Sequence, residues 1–390
     1  MASGFVHPAF AQVAATFGRM FREPRQGGGS LAVYRHGVPV VDIWDGWTER
    51  TGSDRWQADT MALCFSTTKG VVTTLLHRVM ELHDLEYDER VADLWPAFGQ
   101  AGKAEIRVRE LLGHAAGLHR IRGLVGDPQE LLDHRHMAAL LAAQPSDPRR
   151  VGTAGYHALT YGWLIAGLIE AITGQDVRDT LRRELAEPLA LDGLWFGAPT
   201  SDQHRVANLF PKLDFTDSTV DRLDRTLGVI PPARGLLDAS MVKGFAPLVF
   251  ANDGRIHTTA MPSVNGVFTA RSLAKLYSAL SGDGAHGDVR LFSASRLQAM
   301  GRIQYRNRDF VLGLPMRWRL GYHQAFTGLR HRPRLAFGHF GAGGSGGWAD
   351  QETGVALGFV TNRMGSTTTP VGDARLLRLG GAVLKAARAA

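Results

Sequence analysis

The chain has almost no cysteine, and this scarcity limits what can hold it together. Cys64 is the one cysteine among 390 residues, which excludes an intramolecular disulfide framework and a cysteine-rich zinc site. No run of about 18 apolar residues is present, so we expect no membrane-spanning helix. The first residues, MASGFVHPAFAQ, lack both a basic segment and a continuous apolar one. We therefore expect no signal peptide and a cytoplasmic protein.

Lysine is also scarce, so the positive charge comes mainly from arginine. The chain has a formal net charge of +7 but contains six lysines. Its arginines are spread from Arg19 to Arg388 and mixed with acidic residues, without a recognisable nucleic-acid-binding motif. We interpret them as a solvated surface and expect no nucleic-acid partner. His114, His134 and His136 lack further ligands at zinc spacing, so we interpret them as surface histidines and predict no metal and no cofactor.

Strand signals lie at the two ends of the sequence, and helical signals lie between them. Two apolar runs flank His36-Gly37, and the stretch DQETG separates two more near the C-terminus, which indicates hairpins. From about 71 to 250 the apolar spacing is mostly helical, and the stretch Leu159 to Gly174, which is nearly apolar all round, predicts a buried helix. The simplest architecture is an α/β domain of 1–70 and 255–390, with an antiparallel sheet flanked by helices, and an inserted all-α domain of 71–254. We expect the active site in the cleft between them.

Three of the lysines follow a serine by three residues: Ser66 and Lys69, Ser240 and Lys243, Ser272 and Lys275. On a helix this spacing puts both side chains on one face, where they can hydrogen-bond. A serine hydroxyl becomes a good nucleophile when a base takes its proton. A lysine can be that base when burial or a nearby positive group lowers its pKa. The pair is therefore catalytic only where the helix start is buried and the serine faces a cleft.

The surroundings of Ser66 favour it over the other two serines. An apolar stretch, Met61 to Phe65, leads into it, and the helical stretch GVVTTLLHRVMEL that follows is apolar around most of its circumference. A buried lysine is costly unless it has a partner or a function. Lys275, by contrast, lies away from an apolar stripe, and Lys243 precedes a glycine that would end a helix. These residues alone leave an alternative, in which Ser66 is an ordinary helix cap and Lys69 reaches to solvent.

A second serine motif, GGSGG around Ser345, matches the G-x-S-x-G nucleophile elbow of α/β-hydrolases. That elbow needs a strand, a sharp turn and a helix, whereas the stretch GGWADQETGVALGFV after Ser345 predicts strands and a hairpin. The catalytic triad of that fold also needs a later histidine, and none follows His339. We therefore interpret Ser345 as part of a glycine-rich turn.

Five motifs follow one another in an order that a known family shares. FSTTKG matches an S-x-x-K box, and IRVRELLGHAAGL matches the helix and loop that usually follow it. GYHALTYGWLIAGLIEAITG matches a tyrosine box with Tyr156 at its head, and NGVFTARSLAKLYSAL matches a late helix. GHFGAGGSGGWAD falls where K-T-G or H-x-G is expected. From about Leu31 to Asn362 the chain thus resembles the serine β-lactamase-like superfamily, in particular class C β-lactamases and, most closely, family VIII carboxylesterases.

The resemblance implies a role for each matching residue. Ser66 would be the acylated nucleophile, and Lys69 would help to remove its proton. Tyr156 would be the partner in proton transfer, with its phenolate favoured by nearby positive charge. The backbone N–H groups of Ser66 and Ala342 would form the oxyanion hole. The sequence leaves open whether Lys69 or Tyr156 is the general base, because the two groups would titrate together.

Two departures from the β-lactamase pattern bear on the substrate. Where β-lactamases usually have Tyr-x-Asn and Lys-Thr-Gly, this chain has Tyr156-His157-Ala158 and His339-Phe340-Gly341. A neutral imidazole and a phenyl ring favour an uncharged acyl ester. We therefore expect His339, Phe340, Gly341 and Trp348 near the substrate, although His339, Tyr156 and Trp348 could instead be packing residues.

The function that the resemblance implies is a carboxylesterase that cleaves small, short-chain acyl esters through an acyl-Ser66 intermediate. One alternative is a β-lactamase, a D-alanyl-D-alanine peptidase or an acyltransferase that uses the same residues. Another is a binding protein that has kept the fold without catalysis. The sequence predicts no oligomeric state.

Overall fold

Strands cluster near the two ends of the chain and most helices lie between them. The computed structural model describes residues 2–211, 231–328, 332–364 and 373–390. The strands in these residues are β1 (Ser3–Val6), β2 (Gly28–Arg35), β3 (Val38–Gly46), β4 (Ala62–Leu63), β5 (Leu194–Phe196), β6 (Gly266–Phe268), β7 (Ala285–His286), β8 (Val289–Arg290), β9 (His323–Gln324), β10 (Ala336–Phe340), β11 (Gly346–Asp350) and β12 (Val355–Thr361). The α-helices are α1 (Ala11–Phe17), α2 (Thr67–Leu82), α3 (Val91–Leu94), α4 (Val108–Leu112), α5 (His134–Ala143), α6 (Thr160–Thr173), α7 (Val177–Leu181), α8 (Pro231–Ser240), α9 (Phe245–Phe250), α10 (Arg255–Thr258), α11 (Ala270–Ser281), α12 (Ala294–Gly301) and α13 (Ala374–Ala389).

A seven-stranded sheet forms the framework, in the order β1-β3-β2-β12-β11-β10-β9. Every neighbouring pair in it is antiparallel. At its centre β2 pairs with β12, with Leu31 opposite Phe359 and Val33 opposite Leu357. This pairing joins the two ends of the sequence in one sheet. The predicted antiparallel sheet with flanking helices is confirmed.

Both predicted hairpins are present in this sheet. His36 and Gly37 connect β2 to β3 with φ angles of 49° and 78°. A two-residue turn with positive φ at both central residues has a twist that matches that of the flanking strands. The stretch DQETG bridges β11 and β12, and its Gly354 has a φ of 66°. The sequence did not reveal β1, whose four residues are mostly exposed and pair with β3 at the edge of the sheet.

Helices cover both faces of the sheet. One face carries α1 and α13, which enclose a core that includes Phe17, Trp348 and Leu384. The other face carries α11 and α2. A Cβ on Gly358 of β12 would lie 2.4 Å from the Ala270 carbonyl oxygen, so glycine is what allows α11 to lie this close to the sheet.

A second, three-stranded sheet in the order β4-β6-β5 leads the chain into α2. Ala62 pairs with Phe268, and the Cys64 N–H donates to the Gly266 carbonyl at 2.8 Å. The apolar helix α6 is buried as predicted and packs against α2. Because Gly162 has no side chain, the backbone at Ser263 can approach α6; a Cβ there would be 2.2 Å from the Ser263 nitrogen. These contacts bring the starts of α2 and α6 together with the segment before β6.

The division into an α/β domain of 1–70 and 255–390 and a helical domain of 71–254 stays a prediction. Its helical part includes 212–230, which lie outside the described residues. Among the helices that are described, none combines the length and the apolar character needed to cross a membrane.

Candidate active site

Ser66 lies at the start of α2, directly after a residue with an unusual backbone conformation. Phe65 has a φ of 48°, in the left-handed region that residues with a side chain seldom adopt. Ser66 is half-buried, has helical backbone angles, and its side chain makes no capping hydrogen bond to α2. The alternative in which Ser66 is an ordinary helix cap is therefore wrong. Its hydroxyl is available for other contacts.

Two threonines anchor the first turn of α2. The Thr67 hydroxyl donates to the Ser345 carbonyl at 3.0 Å, in the turn before β11. The Thr68 hydroxyl accepts the Gly266 N–H at 2.9 Å, in β6. The turn that carries Ser66 is thus fixed to both sheets, which limits how far its hydroxyl can move.

The Ser66 hydroxyl is the meeting point of two other predicted residues. Lys69 Nζ lies 2.9 Å from Ser66 Oγ, one turn along α2. The Tyr156 hydroxyl donates to the same oxygen at 2.8 Å, from a position 90 residues away in the sequence. Lys69 Nζ also donates to the Ser263 carbonyl at 3.0 Å and lies 5.2 Å from the centre of the Tyr156 ring. The structure therefore brings Ser66, Lys69 and Tyr156 into one hydrogen-bonded group.

Lys69 is fully buried, so the alternative in which it reaches to solvent is wrong. Burial lowers the pKa of its ammonium well below the ordinary value of 10.5, because a charged group is poorly solvated away from water. The uncharged amine has a lone pair that can accept a proton. With Ser66 Oγ at hydrogen-bonding distance, the side chain has the geometry of a general base, and the lowered pKa favours its proton-accepting form.

Tyr156 is held among three rings. It stacks on Trp318, with ring centres 5.7 Å apart and planes inclined by 12°. The His339 ring lies 6.2 Å away, and the His114 ring packs against it at 5.1 Å. Desolvation by this packing raises the pKa of the Tyr156 hydroxyl above its ordinary value of 10.0. The site thus favours the phenol, which is opposite to the phenolate that the resemblance implied.

The end of β10 lies beside the start of α2. His339 faces α2, since a Cβ on Gly70 would lie 3.1 Å from the His339 Cβ. Gly341 shares that face because side chains alternate along a strand, and a Cβ on it would be 2.3 Å from the Cys64 carbonyl oxygen. Ala342 follows in an exposed turn. Within the described chain the backbone N–H groups of Ser66 and Ala342 donate to no backbone carbonyl, so both are open to an acceptor.

Two predicted substrate-binding residues, Trp348 and Phe340, lie on the face of the sheet that is opposite to α2 and Ser66. Trp348 is fully buried opposite Gly338 and packs against Gly380 of α13. The Phe340 ring packs against His323 and Phe326. Strand alternation places both side chains away from α2, so neither is brought to Ser66, and the packing alternative for Trp348 applies. The Phe65 ring, on the residue directly before Ser66, is half-buried.

The remaining serine candidates have structural roles. The Ser272 hydroxyl donates to the Asp192 carbonyl at 2.6 Å, and the Ser240 hydroxyl donates to the Leu236 carbonyl at 2.6 Å. Ser345 is buried, and its hydroxyl accepts the Thr361 N–H at 3.1 Å. A strand, β11, follows Ser345 rather than a helix, so no nucleophile elbow forms there.

The interpretation of three histidines as surface residues is wrong for two of them. His114 is fully buried and His134 nearly so, whereas His136 is exposed. His114 Nδ1 accepts the His157 N–H at 3.2 Å, and its ring contacts Tyr156 and Trp318. Within the described residues, no group of three or more His, Cys, Asp or Glu side chains could hold a metal ion.

Three residues that contact the site were not predicted from sequence: Ser263, Asp309 and Trp318. Ser263 acts through its backbone carbonyl, for which side-chain identity carries no signal. Asp309 and Trp318 contact Tyr156 across 153 and 162 positions of sequence, outside every motif that was recognised. Such contacts become visible only when the chain is folded.

Comparisons with known proteins agree with this fold. The family profile described as Beta-lactamase matches residues 13–382. Esterase/beta-lactamase LipL of Mycobacterium tuberculosis is 41% identical over 373 residues, which cover 93% of this chain and 83% of LipL. A family VIII carboxylesterase structure is 31% identical, with a TM-score of 0.85 over 99% of this chain and 100% of the other. A penicillin-binding protein homolog from Caulobacter crescentus is 32% identical, with a TM-score of 0.86 over the same shares, 99% and 100%. This chain belongs to the beta-lactamase family.

Proposed function

We propose that the protein is a carboxylesterase that forms an acyl-enzyme on Ser66. The observation that carries the proposal is the pair of contacts on one hydroxyl: Ser66 Oγ lies 2.9 Å from a buried lysine amine and 2.8 Å from a tyrosine hydroxyl. The Ser66 side chain makes no capping hydrogen bond to α2. A hydroxyl placed between a proton acceptor and a proton donor is suited to nucleophilic attack followed by protonation of a leaving group.

In this proposal Lys69 is the general base and Tyr156 is the proton donor. The amine accepts the Ser66 proton as Oγ bonds to the ester carbonyl carbon. The Tyr156 hydroxyl then gives its proton to the alcohol oxygen as the carbon–oxygen bond breaks, and the Lys69 ammonium returns a proton to Tyr156. Water hydrolyses the acyl-serine by the same transfers, which restores the Ser66 hydroxyl and releases a carboxylic acid. Both pKa directions, down for Lys69 and up for Tyr156, support these roles.

The charge that develops on the carbonyl oxygen needs hydrogen-bond donors. We assign this task to the backbone N–H groups of Ser66 and Ala342, which lie on the two segments that meet at the site. Gly341 and Gly343 support the assignment, because their missing side chains let the turn approach Cys64 and Phe65. Fixed backbone donors of this kind stabilise a tetrahedral intermediate more than they stabilise the ground state.

An uncharged ester fits the surroundings better than a substrate with a carboxylate. Burial holds the pKa of His339 well below its ordinary value, so His339 offers no positive charge in place of the lysine in the Lys-Thr-Gly motif that β-lactamases usually have. The ring of Phe65, the residue directly before Ser66, is half-buried and packs against Phe250 at 6.3 Å. LipL is named an esterase as well as a beta-lactamase, and one structural neighbour is a carboxylesterase. We therefore favour short, uncharged acyl esters as substrates.

The test compares three substrates and two serine variants. The wild type and the Ser66→Ala and Ser345→Ala variants are assayed with a short nitrophenyl ester, a chromogenic cephalosporin and a D-Ala-D-Ala peptide. We expect ester hydrolysis to dominate, to disappear in Ser66→Ala and to persist in Ser345→Ala. Intact-mass spectrometry with peptide mapping should place the acyl adduct on Ser66. Labelling of Ser345, or activity that survives Ser66→Ala, would refute the mechanism, and preference for the cephalosporin or the peptide would refute the substrate class.

A further inference from the structure

Asp309 is a fully buried acid whose side chain collects four hydrogen bonds close to the proposed proton donor. Its Oδ1 accepts the backbone N–H groups of Tyr156 at 3.1 Å, Val311 at 2.9 Å and Leu312 at 2.8 Å. Its Oδ2 accepts the indole N–H of Trp318 at 2.9 Å. Both oxygens are thus used as acceptors, and every partner is an N–H donor.

This arrangement suits an ionised carboxylate. An ionised carboxylate only accepts hydrogen bonds, whereas a protonated one has an O–H that needs an acceptor of its own. Burial raises the pKa of the Asp309 carboxyl, and the N–H donors oppose that rise because they stabilise the charged form. No ion pair of the described residues involves Asp309, so its charge is balanced by oriented N–H groups rather than by a cation.

Two of the four groups that Asp309 holds bear on the position of Tyr156. One hydrogen bond goes to the Tyr156 backbone, and another goes to Trp318, the ring on which the tyrosine stacks. A third contact ties the same segments together, since the Phe310 N–H donates to the Ala154 carbonyl at 3.1 Å. We propose that Asp309 is a positioning residue, which holds Tyr156 against Ser66 and keeps it a phenol; this role rests on the function proposed above.

The charge of Asp309 is the part of the proposal that a purely structural role would not require. Among the described residues, the titratable side chains close to Tyr156 include Lys69, His114, Tyr161, His339 and Asp309. Burial lowers the pKa of His114 and His339 well below their ordinary values, so both are uncharged near neutral pH, and burial lowers the pKa of Lys69 in the same direction. A negative charge near a phenol disfavours its ionisation, and the Asp309 charge acts on Tyr156 in this direction.

The experiment uses Asp309→Asn, which keeps the shape and removes the charge. An asparagine can accept on one side only, so its NH2 group must face either the Trp318 N–H or the three backbone N–H groups. The matched control is Asp350→Asn. Asp350 is equally buried, at the end of β11, and accepts the Thr353 hydroxyl at 2.7 Å. Each substitution is made in the wild type and in a Tyr156→Phe background, and acylation of Ser66 is measured by burst kinetics over a range of pH.

We expect Asp309→Asn to slow acylation roughly 10- to 100-fold, the scale of a misplaced catalytic group, mainly through kcat. In the Tyr156→Phe background the same substitution should have little further effect, because Asp309 acts through the tyrosine. Ultraviolet absorbance of tyrosinate, taken as the difference from Tyr156→Phe, should show Tyr156 ionising at lower pH in Asp309→Asn. Asp350→Asn should change neither acylation nor this titration.

An Asp309→Asn variant that unfolds more easily but keeps the wild-type acylation rate and tyrosine titration would overturn the proposal, as would equal losses in the two backgrounds. Should Asp309→Asn fail to fold, Trp318→Phe removes one donor to Asp309 and keeps a ring against Tyr156. Trp318→Phe should slow acylation in the wild type but should have no further effect in the Tyr156→Phe background. A further loss of acylation in that background would overturn the proposal. The tyrosinate titration needs no turnover, so it decides the role of Asp309 even if Ser66 proves not to be acylated.

Discussion

Replacement of Lys69 by methionine separates the catalytic role of this side chain from its packing. Methionine has a similar length and no proton-accepting nitrogen. The substitution removes two contacts of Nζ, at 2.9 Å to Ser66 Oγ and at 3.0 Å to the Ser263 carbonyl. It leaves the Tyr156 hydroxyl in place to donate to Ser66. Two quantities are measured on the Lys69→Met variant: the rate of Ser66 acylation and the free energy of unfolding.

The loss of the base should be large. A positioned general base usually contributes roughly 10²- to 10⁴-fold to a rate, which corresponds to about 2.7–5.4 kcal/mol in the activation barrier. Lys69 is expected near the upper end, because burial lowers the pKa of its ammonium and its Nζ lies at hydrogen-bonding distance from the serine. Stopped-flow bursts with a short nitrophenyl ester measure this rate directly.

The change in stability should be small, with a sign that depends on pH. Loss of the hydrogen bond to the buried Ser263 carbonyl costs about 1–3 kcal/mol. Methionine, however, avoids the cost of burying an ionisable amine, so we expect a net change within about 2 kcal/mol. Because the pKa of Lys69 is lowered by folding, the unfolded wild type binds more protons than the native state between that lowered pKa and 10.5. The free energy of unfolding of the wild type therefore rises with pH in this window. Urea unfolding should show that the stability of Lys69→Met falls relative to that of the wild type as the pH rises.

Lys103 provides a matched control, because it is the other fully buried lysine in the described chain. Its Nζ donates to the Gln100 carbonyl at 2.9 Å and lies 5.2 Å from the centre of the Phe98 ring, without a contact to Ser66. Lys103→Met should alter stability and leave acylation unchanged. If Lys69→Met keeps more than about a tenth of the acylation rate, Lys69 is not the general base. An equal loss of acylation in Lys103→Met would also contradict this role.

Two further predictions follow from the same contacts. Gly70→Ala would place a Cβ 2.1 Å from the hydroxyl oxygen of the fully buried Tyr277, so urea unfolding should show a loss of about 1–3 kcal/mol; an unchanged midpoint would contradict the close approach. The kcat/KM for an uncharged ester should fall as the pH falls through the lowered pKa of Lys69, since the protonated amine cannot accept the Ser66 proton. A profile without this acid limb would argue against Lys69 as the base.

Local sequence patterns were sufficient where an element depends on its own residues. The apolar spacing after Ser66 predicted α2, the nearly all-apolar run from Leu159 predicted the buried α6, and His36-Gly37 predicted a hairpin. Each depends on a periodicity or a turn preference that neighbouring residues impose. The motif order and the resemblance it carries then identified Ser66, Lys69 and Tyr156 as a group before any contact among them was known.

The sequence did not show which side of a strand faces the site. Trp348 belongs to the glycine-rich motif GHFGAGGSGGWAD, but its side chain lies on the α13 face of the sheet. The register of β11 against β10 places Trp348 opposite Gly338. A shift of one residue would have reversed its direction, and nothing local in the motif sets that register. Phe340 was misplaced for the same reason, as the neighbour of His339 on an alternating strand.

The amino-acid order alone was enough to establish the fold class, the family and the three residues that meet at Ser66. Folding decided the rest: that burial lowers the pKa of Lys69 and raises that of Tyr156, and that Asp309 and Trp318 contact the tyrosine. These are properties of burial and of contacts between distant segments. A pKa or a hydrogen bond across 153 residues depends on what surrounds a group in space, and that environment exists only in the packed chain.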